Sequence, residues 1–115
     1  MKCERLDVWK RASALSAEIY LYFRDFGDFG FKDQITRSGL SIPSNIAEGM
    51  ERDSAKEKQR FLGIAHASCA ELKTQTYIGM KIDYIDRETG KKWLDTIEEL
   101  ARMIGGLKKS LEPEH

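Results

Sequence analysis

The 115-residue chain has no excess of charge of either sign, because nineteen basic side chains balance nineteen acidic ones. No strong net field would draw the whole molecule to a phosphate backbone or an anionic membrane, so a nucleic-acid role would have to rest on a local patch. The sequence also lacks an apolar run near the roughly 20 residues that span a bilayer, and its start lacks the apolar core of a secretory signal. We therefore expect a cytoplasmic protein that does not enter a membrane.

Metal-ligating side chains are scarce, with two cysteines and two histidines in all. Cys3 and Cys69 are far apart in sequence, so we expect two free thiols and no zinc ligand set. A di-iron centre in a helical bundle needs a Glu-x-x-His pair on each of two helices. His66 has Gly63 at that spacing and His115 lies in the tail, so one subunit cannot assemble these ligands. The sequence predicts no metal and no cofactor.

Catalytic motifs are equally hard to find. Cys69 lies one helical turn from His66, which could pair a thiolate with a base, but its place in an apolar pattern favours a small core residue. Gly27 and Gly30 are not followed by the Gly-Lys-Ser/Thr of a phosphate-binding loop. We therefore expect a protein that is not an enzyme.

Four segments repeat apolar residues at alternating steps of four and three, which is the spacing of one helix face. Short connections between such helices favour antiparallel neighbours. The sequence therefore predicts a single domain, residues 1–115, folded as an all-α, up-down-up-down four-helix bundle with helices at about 5–26, 31–52, 54–83 and 87–111. The four seams are Val8, Ala12, Leu15, Ile19, Tyr22 and Phe26; Phe31, Ile35, Gly39, Ile42, Ile46 and Gly49; Leu62, Ala65, Cys69, Leu72, Thr76 and Gly79; and Trp93, Ile97, Leu100, Ile104, Leu107 and Leu111.

The second helix contains Pro43, whose ring collides with the carbonyl four residues earlier and whose nitrogen cannot donate. That earlier residue is Gly39, which gives the backbone room to bend. We interpret Pro43 as a kink within one long helix, and a break into two helices is the alternative.

The third helix has a clear start and an unusually wide apolar surface. Ser54 with Glu57 three residues later predicts an N-terminal cap, and Asp86 is placed to cap the fourth helix. Beyond the seam, further apolar residues widen the surface and indicate burial on more than one side: Phe61, Ile64, Ile78 and Ile82.

Opposite its seam, the second helix carries a second stripe made of hydrogen-bonding groups, and the third helix offers a similar one. If the two stripes face each other, they form a polar layer in which Arg37 could hold Glu71 or Glu48 as an ion pair. Solvated outer faces are the alternative, although the stripe is short of lysine. The stripes are Gln34, Arg37, Ser41, Asn45, Glu48 and Arg52 on one helix, and Ser68, Glu71 and Gln75 on the other.

The best candidate for a nucleic-acid contact is a basic patch around the turn from the second to the third helix. Its four residues are Arg52, Lys56, Lys58 and Arg60. Acidic residues at 48, 51, 53 and 57 are interleaved with them, which weakens the patch as a phosphate-binding surface.

The segment SIPSNIAEG at 41–49, preceded by Gln34-Ile35 and Arg37-Ser38, resembles the four-helix-bundle proteins encoded in 23S rRNA intervening sequences. The resemblance extends to residues 6–12, to residues 61–65, and to Ser68 with 70–72 before Gln75. It implies a homo-oligomer, with a pentamer as the expected form, and no established catalytic activity. Some relatives resemble the accessory proteins of diversity-generating retroelements, which form a ring of five bundles and bind a reverse transcriptase and nucleic acid.

Two features depart from that resemblance. The turn before the second helix is Gly27-Asp28-Phe29-Gly30, where the family is richer in proline and glutamate, and the chain is balanced in charge where the nucleic-acid-binding relatives are basic. We therefore expect a non-catalytic homo-oligomeric scaffold or adaptor. The alternative is an accessory protein that acts with RNA, DNA or a reverse transcriptase.

Overall fold

A computed structural model describes residues 1–111, and in that range the chain is all-α, with four helices and no strand. The helices are α1 (Asp7–Tyr22), α2 (Phe29–Met50), α3 (Ala55–Lys81) and α4 (Arg87–Ser110). They form an elongated four-helix bundle that measures 49 × 22 × 22 Å. The end of the predicted fourth helix, residue 111, is the C-cap Leu111.

Each helix begins at a side-chain cap or at an extended residue. Asp28, Ser54 and Asp86 accept hydrogen bonds from the backbone N–H three residues later, which satisfies one of the free amides at the start of α2, α3 and α4. The predicted caps Ser54 and Asp86 are thus confirmed. Because Asp28 acts as a cap, α2 begins two residues earlier than its seam alone indicated.

The first helix ends at Tyr22, four residues before the predicted end at about residue 26. Phe23 is the C-cap and is fully buried, and its ring packs edge-on against those of Phe26 and Tyr22. Phe26 in turn contacts Tyr84 from the α3–α4 turn, with ring centroids 4.6 Å apart. These aromatic contacts favour a turn at Phe23 over further helix, because the turn buries Phe23 in the core and brings Phe26 against Tyr84.

The third helix ends in a left-handed cap. Asp83 has φ of 62°, and the N–H groups of Asp83 and Tyr84 donate to the carbonyls of Met80 and Gly79 at 3.2 and 2.8 Å. These two bonds define a Schellman motif, which satisfies carbonyls that the helix end leaves free. The predicted end at about residue 83 is therefore two residues too long.

The helix α2 runs without interruption through Pro43, so the alternative of two separate helices is wrong. Two of its glycines mark close approaches to neighbouring helices. A Cβ on Gly39 would lie 3.3 Å from Ile19 Cδ1 of α1, and one on Gly49 would lie 3.2 Å from the Lys58 carbonyl oxygen of α3. Small residues in the second seam thus let α1 and α3 pack against α2.

Within the bundle, α1 contacts α2 and α4, and α3 also contacts α2 and α4. Most of the buried core comes from the predicted seams, and Cys3 and Ile85 add to it from outside them. All six seam residues of α3 are buried, as are Trp93, Ile97, Leu100 and Ile104 of α4. In α1, Val8, Ala12, Leu15 and Ile19 are buried as predicted, but Phe23 takes the place expected for Tyr22. The half-buried Phe31 and Leu107 pack against this core.

Candidate functional site

The two polar stripes meet in part, along the line where α2 packs against α3. Asn45 Nδ2 lies 2.9 Å from Ser41 Oγ and 2.8 Å from the Ser41 carbonyl oxygen, and Ser41 Oγ lies 2.8 Å from Ser68 Oγ. All three side chains are half-buried. The structure therefore brings Ser41, Asn45 and Ser68 together as a polar contact between the two helices.

The direction of these hydrogen bonds follows from what each group can donate. Asn45 donates from its amide to Ser41 Oγ, and Ser68 donates its hydroxyl to the Ile64 carbonyl at 3.0 Å. Ser68 has then used its one proton, so Ser41 must donate to Ser68. The result is a chain from Asn45 through both serines to the backbone of α3, in which each hydroxyl donates once and accepts once.

A second polar contact joins Ser38 of α2 to Glu71 of α3. The Ser38 hydroxyl donates to Glu71 Oε1 and lies 3.0 Å from the Gln34 carbonyl oxygen. Ser38 is 2% exposed, so this bond ties an exposed carboxylate to a buried group. Sequence reasoning left Ser38 out of the polar stripe, although its spacing of three and seven residues from Ser41 and Asn45 was a usable signal.

Arg37 lies elsewhere than expected. Its Nε donates to Asp33 Oδ1 at 3.0 Å, its side chain is 75% exposed, and this hydrogen bond raises the pKa of the guanidinium. The expected pair with Glu71 or Glu48 does not form, because one residue along a helix is a rotation of about 100° and turns Arg37 outward from the Ser38 face. Glu48 pairs instead with Arg52, four residues later on α2.

The side chains of Gln34 and Gln75 make no hydrogen bond between α2 and α3 among the described residues. Gln34 is exposed and takes part through its backbone carbonyl. Gln75 is half-buried, and its Oε1 is buried with no hydrogen-bond partner among residues 1–111. The predicted polar layer is therefore a pair of contacts between α2 and α3, not a continuous network of all nine residues of the two stripes.

The basic patch is locally neutralised. Arg60 Nε donates to Glu57 at 2.8 Å, which raises the pKa of Arg60 and lowers that of Glu57, and Arg52 pairs with Glu48. Both guanidinium groups lie over the Phe61 ring, 4.7 Å from its centroid for Arg52 and 4.4 Å for Arg60. These contacts hold the two arginines against the surface of the bundle.

The two lysines of the patch differ from each other. Lys58 Nζ donates to the Met50 carbonyl oxygen at 3.2 Å. The lysine thereby provides a hydrogen bond to a free carbonyl at the C-terminal end of α2, where a positive charge is favourable. Lys56 is exposed and makes no hydrogen bond or ion pair with the part of the chain that the structure describes. A phosphate would therefore find one free cation at this turn and three that already have partners.

Cys69 lies at the base of a cleft of about 290 Å³ between α3 and α4, with His66, Lys73, Glu98 and Arg102 around it. The cysteine is 2% exposed, and burial raises the pKa of its thiol to about 11. The thiol is therefore protonated at neutral pH, whereas a nucleophilic cysteine needs a lowered pKa. Its position in the third seam confirms the interpretation of Cys69 as a core residue.

Among residues 1–111, no group of three or more His, Cys, Asp or Glu side chains is placed to hold a metal ion. No helix in that range has the length and apolar character needed to cross a membrane.

Comparison with known proteins finds a matching family and a similar solved structure. The sequence model of the family described as "23S rRNA-intervening sequence protein" matches residues 4–106. A crystal structure from Bacteroides thetaiotaomicron, of a protein of unknown function from the S23 ribosomal protein family, has a TM-score of 0.83 and is 24% identical. The match covers 89% of this chain and 98% of that one. No curated protein matches the chain significantly.

Proposed function

The chain belongs to the 23S rRNA-intervening sequence protein family, and from that premise we propose that it is a non-catalytic, homo-oligomeric scaffold or adaptor. The observation that carries this proposal is the apolar surface of a single copy. Ten large hydrophobic side chains remain exposed among the described residues, although the core is well filled. Contiguous exposed apolar patches are typical of surfaces that bind another protein, and Ile78 and Ile82, four residues apart at the end of α3, lie on one side of it.

The proposed subunit is an up-down-up-down bundle with each helix antiparallel to its neighbours. Side-chain pairs between helices support this arrangement, because residue numbers rise along one helix as they fall along the next. Lys92 reaches Glu18 at 3.2 Å, while Arg11, earlier in α1, pairs with Glu99, later in α4. Likewise, Ser38 meets Glu71 where Ser41 meets Ser68.

The proposed assembly is a pentamer, which is the form that the family resemblance implies. Multi-angle light scattering behind a sizing column measures the subunit number directly, since each chain contributes 13.2 kDa. We expect a mass near five times that value, unchanged over a tenfold dilution. A monomeric mass would contradict the assembly and with it the scaffold role.

The absence of catalysis in this proposal is supported by how the polar groups are used. Asn45, Ser41 and Ser68 spend their hydrogen bonds on one another and on backbone, and the Cys69 thiol is protonated. Such groups fix how two helices pack, and none is held ready to attack a substrate. Two free cysteines also fit the proposed cytoplasmic location.

The alternative function is that of an accessory protein that binds RNA or DNA, alone or with a reverse transcriptase. It would use Lys56 and Arg60, whose weak individual attraction a ring could multiply. The test is fluorescence anisotropy with single-stranded RNA and DNA over a salt series, after checking that the purified protein carries no nucleic acid by its absorbance ratio.

The control for this test separates the patch from general charge. Lys56→Ala with Arg60→Ala should weaken binding and reduce its salt dependence, whereas Lys91→Ala, an exposed lysine on α4, should leave both unchanged. Binding that is absent, or equally weakened by both variants, would leave the scaffold as the better function.

A further inference from the structure

Three serines between α1 and α2 differ from the other hydroxyl-bearing residues of the chain. Ser13, Ser16 and Ser44 make no side-chain hydrogen bond with residues 1–111. Every other serine and threonine makes at least one, to a helix carbonyl, to a backbone N–H at a helix start or to another side chain. The three unpaired hydroxyls all line one groove, which this coincidence distinguishes from the rest of the surface.

The groove lies between α1 and α2 and has a volume of about 460 Å³, within the roughly 300–1,000 Å³ of small-molecule sites. We call it the α1–α2 groove. Its walls are apolar and are formed by Trp9, Tyr20, Leu40 and Ala47. Met1 also lines it, and the N-terminal ammonium of Met1 donates to Glu4 Oε1 at 3.0 Å. Among the described residues no charged side chain lines the groove, so a charged ligand would find no counter-charge there.

Ser16 lines the groove although it is only 5% exposed. Buried hydroxyls in proteins nearly always have a hydrogen-bond partner. Within a helix the usual partner is the carbonyl four residues earlier, as for Thr76, whose hydroxyl donates to the Leu72 carbonyl at 2.8 Å. The fully enclosed side-chain atoms without a partner belong to other residues in the described part of the chain, so the unpaired Ser16 oxygen is open to the groove.

Pro43 leaves a second polar group without its usual partner beside Ser16. Because Pro43 has no N–H, the Gly39 carbonyl oxygen lacks the donor that α2 would otherwise provide four residues later. Helix carbonyls point toward the helix C-terminus, so this oxygen points toward Pro43, which lines the groove. Gly39 also packs beside Ser16, since a Cβ on Gly39 would lie 3.9 Å from Ser16 Cα. A hydroxyl and a carbonyl acceptor therefore lie close together at one apolar surface.

We propose that the α1–α2 groove is a binding site for a small uncharged molecule with a flat apolar body and a hydroxyl group. A hydroxyl can donate to the Gly39 carbonyl and accept from Ser16 at the same time, so it pairs both groups. The segment from Trp9 to Tyr20 spans about 16 Å along α1, which accommodates a body of two rings against aromatic side chains. The site is formed within one chain and does not depend on the proposed assembly.

Three probes of nearly one shape test this chemistry. β-Naphthol has two rings and a hydroxyl, its methyl ether has no proton to donate, and β-naphthoate carries a negative charge. Equilibrium dialysis against the full chain measures the affinity of each probe in any state of assembly. We expect β-naphthol to bind roughly tenfold more tightly than its methyl ether, which is the effect of about one neutral hydrogen bond. β-Naphthoate should bind more weakly than either, because the groove offers it no cation.

Ser16→Ala tests the polar group without changing the shape of the groove. Binding of β-naphthol should weaken by roughly three- to tenfold, while binding of the methyl ether should stay the same. The urea midpoint should not fall, because the substitution removes an unpaired hydroxyl and no hydrogen bond of the folded chain.

Ala17→Phe tests the location, since Ala17 is exposed and lines the groove. Its ring should fill the groove and abolish binding of both neutral probes. Ala14→Phe is the matched control, because Ala14 is exposed on the same helix but lies beside α4, away from the groove. This control should bind both probes like the unaltered chain, and circular dichroism verifies the helical fold of each variant.

Other outcomes would overturn the proposal in distinct ways. If the unaltered chain binds the neutral probes no better than Ala17→Phe does, the groove is not a binding site. If β-naphthol and its methyl ether bind equally, or Ser16→Ala affects both alike, the hydroxyl is not recognised. If β-naphthoate binds as tightly as β-naphthol, the ligand class is wrong. A lower urea midpoint for Ser16→Ala would show that Ser16 has a partner within the protein.

Discussion

The hydrogen-bond chain between α2 and α3 predicts a measurable coupling between Ser41 and Ser68. Ser41→Ala removes the 2.8 Å bond to Ser68 and one of the two acceptors of Asn45. Each half-buried neutral hydrogen bond contributes about 0.5–1.5 kcal/mol to the free energy of unfolding. The higher helix propensity of alanine offsets this loss by a few tenths of a kcal/mol. We expect Ser41→Ala to cost about 1 kcal/mol of the free energy of unfolding.

Ser68→Ala removes the same inter-helix bond together with the bond to the Ile64 carbonyl within α3. We expect a cost of about 0.5–1 kcal/mol. The double variant loses the shared bond once, so its cost should fall short of the summed single costs by about 0.5–1 kcal/mol. That shortfall is the quantity that reports the contact.

The assay is urea denaturation followed by circular dichroism, with all four chains at one protein concentration because assembly contributes to apparent stability. Ser44→Ala is the control, since Ser44 is exposed on α2 and makes no side-chain bond to residues 1–111. It should change stability by no more than about 0.5 kcal/mol. A coupling between Ser41 and Ser68 below about 0.3 kcal/mol would refute a stabilising hydrogen bond between these two side chains.

Three further predictions address single residues. Arg37→Met should change the free energy of unfolding by less than about 0.5 kcal/mol, because the pair with Asp33 is exposed; a urea midpoint that corresponds to a loss above about 2 kcal/mol would contradict this placement. Asp83→Gly should stabilise the chain by roughly 0.5–1 kcal/mol, since φ of 62° costs glycine nothing, and a lower midpoint of thermal unfolding would count against the left-handed cap. The pKa of Cys69 is raised from 9.0 to about 11, so the folded state favours the protonated thiol and gains stability that is complete below pH 9 and lost as pH rises to about 11. Relative to Cys69→Ala, the unaltered chain should lose about 2–3 kcal/mol across that window in urea titrations, and parallel curves for the two chains would disprove the shift.

The periodic parts of the fold could be predicted from the sequence because each seam is a local pattern. All six predicted seam residues of α3 are buried, from Leu62 to Gly79. The end of α1 could not be predicted in the same way, since it depends on Phe26 meeting Tyr84, a residue 58 positions away in sequence. Contacts between distant aromatic residues decide such ends, and spacing along one helix contains no information about them.

The polar contact was predicted for some residues and missed for others for a geometric reason. Ser41 and Asn45 lie on the side of α2 that faces α3, and their spacing identified them. Arg37 and Ser38 are adjacent, and a rotation of about 100° separates an exposed ion pair from a buried hydroxyl. Charge and hydrogen-bonding capacity favoured Arg37 in the sequence, but burial selects the smaller Ser38, which fits against Glu71 without a guanidinium to desolvate.

The contrast between α3 and α4 is the reason that we propose assembly to explain the wide apolar surface. Helix α4 buries Trp93, Ile97, Leu100 and Ile104 on one side and presents charged residues such as Lys91 and Arg102 to water. Helix α3 has an equally complete seam, yet its far side carries Ile64 and Ile78 where α4 has charge. Folding of one subunit requires only the seam, so stability of the subunit does not account for the second apolar side. The apolar residues that one copy of α3 leaves exposed would be covered in the proposed assembly of several copies.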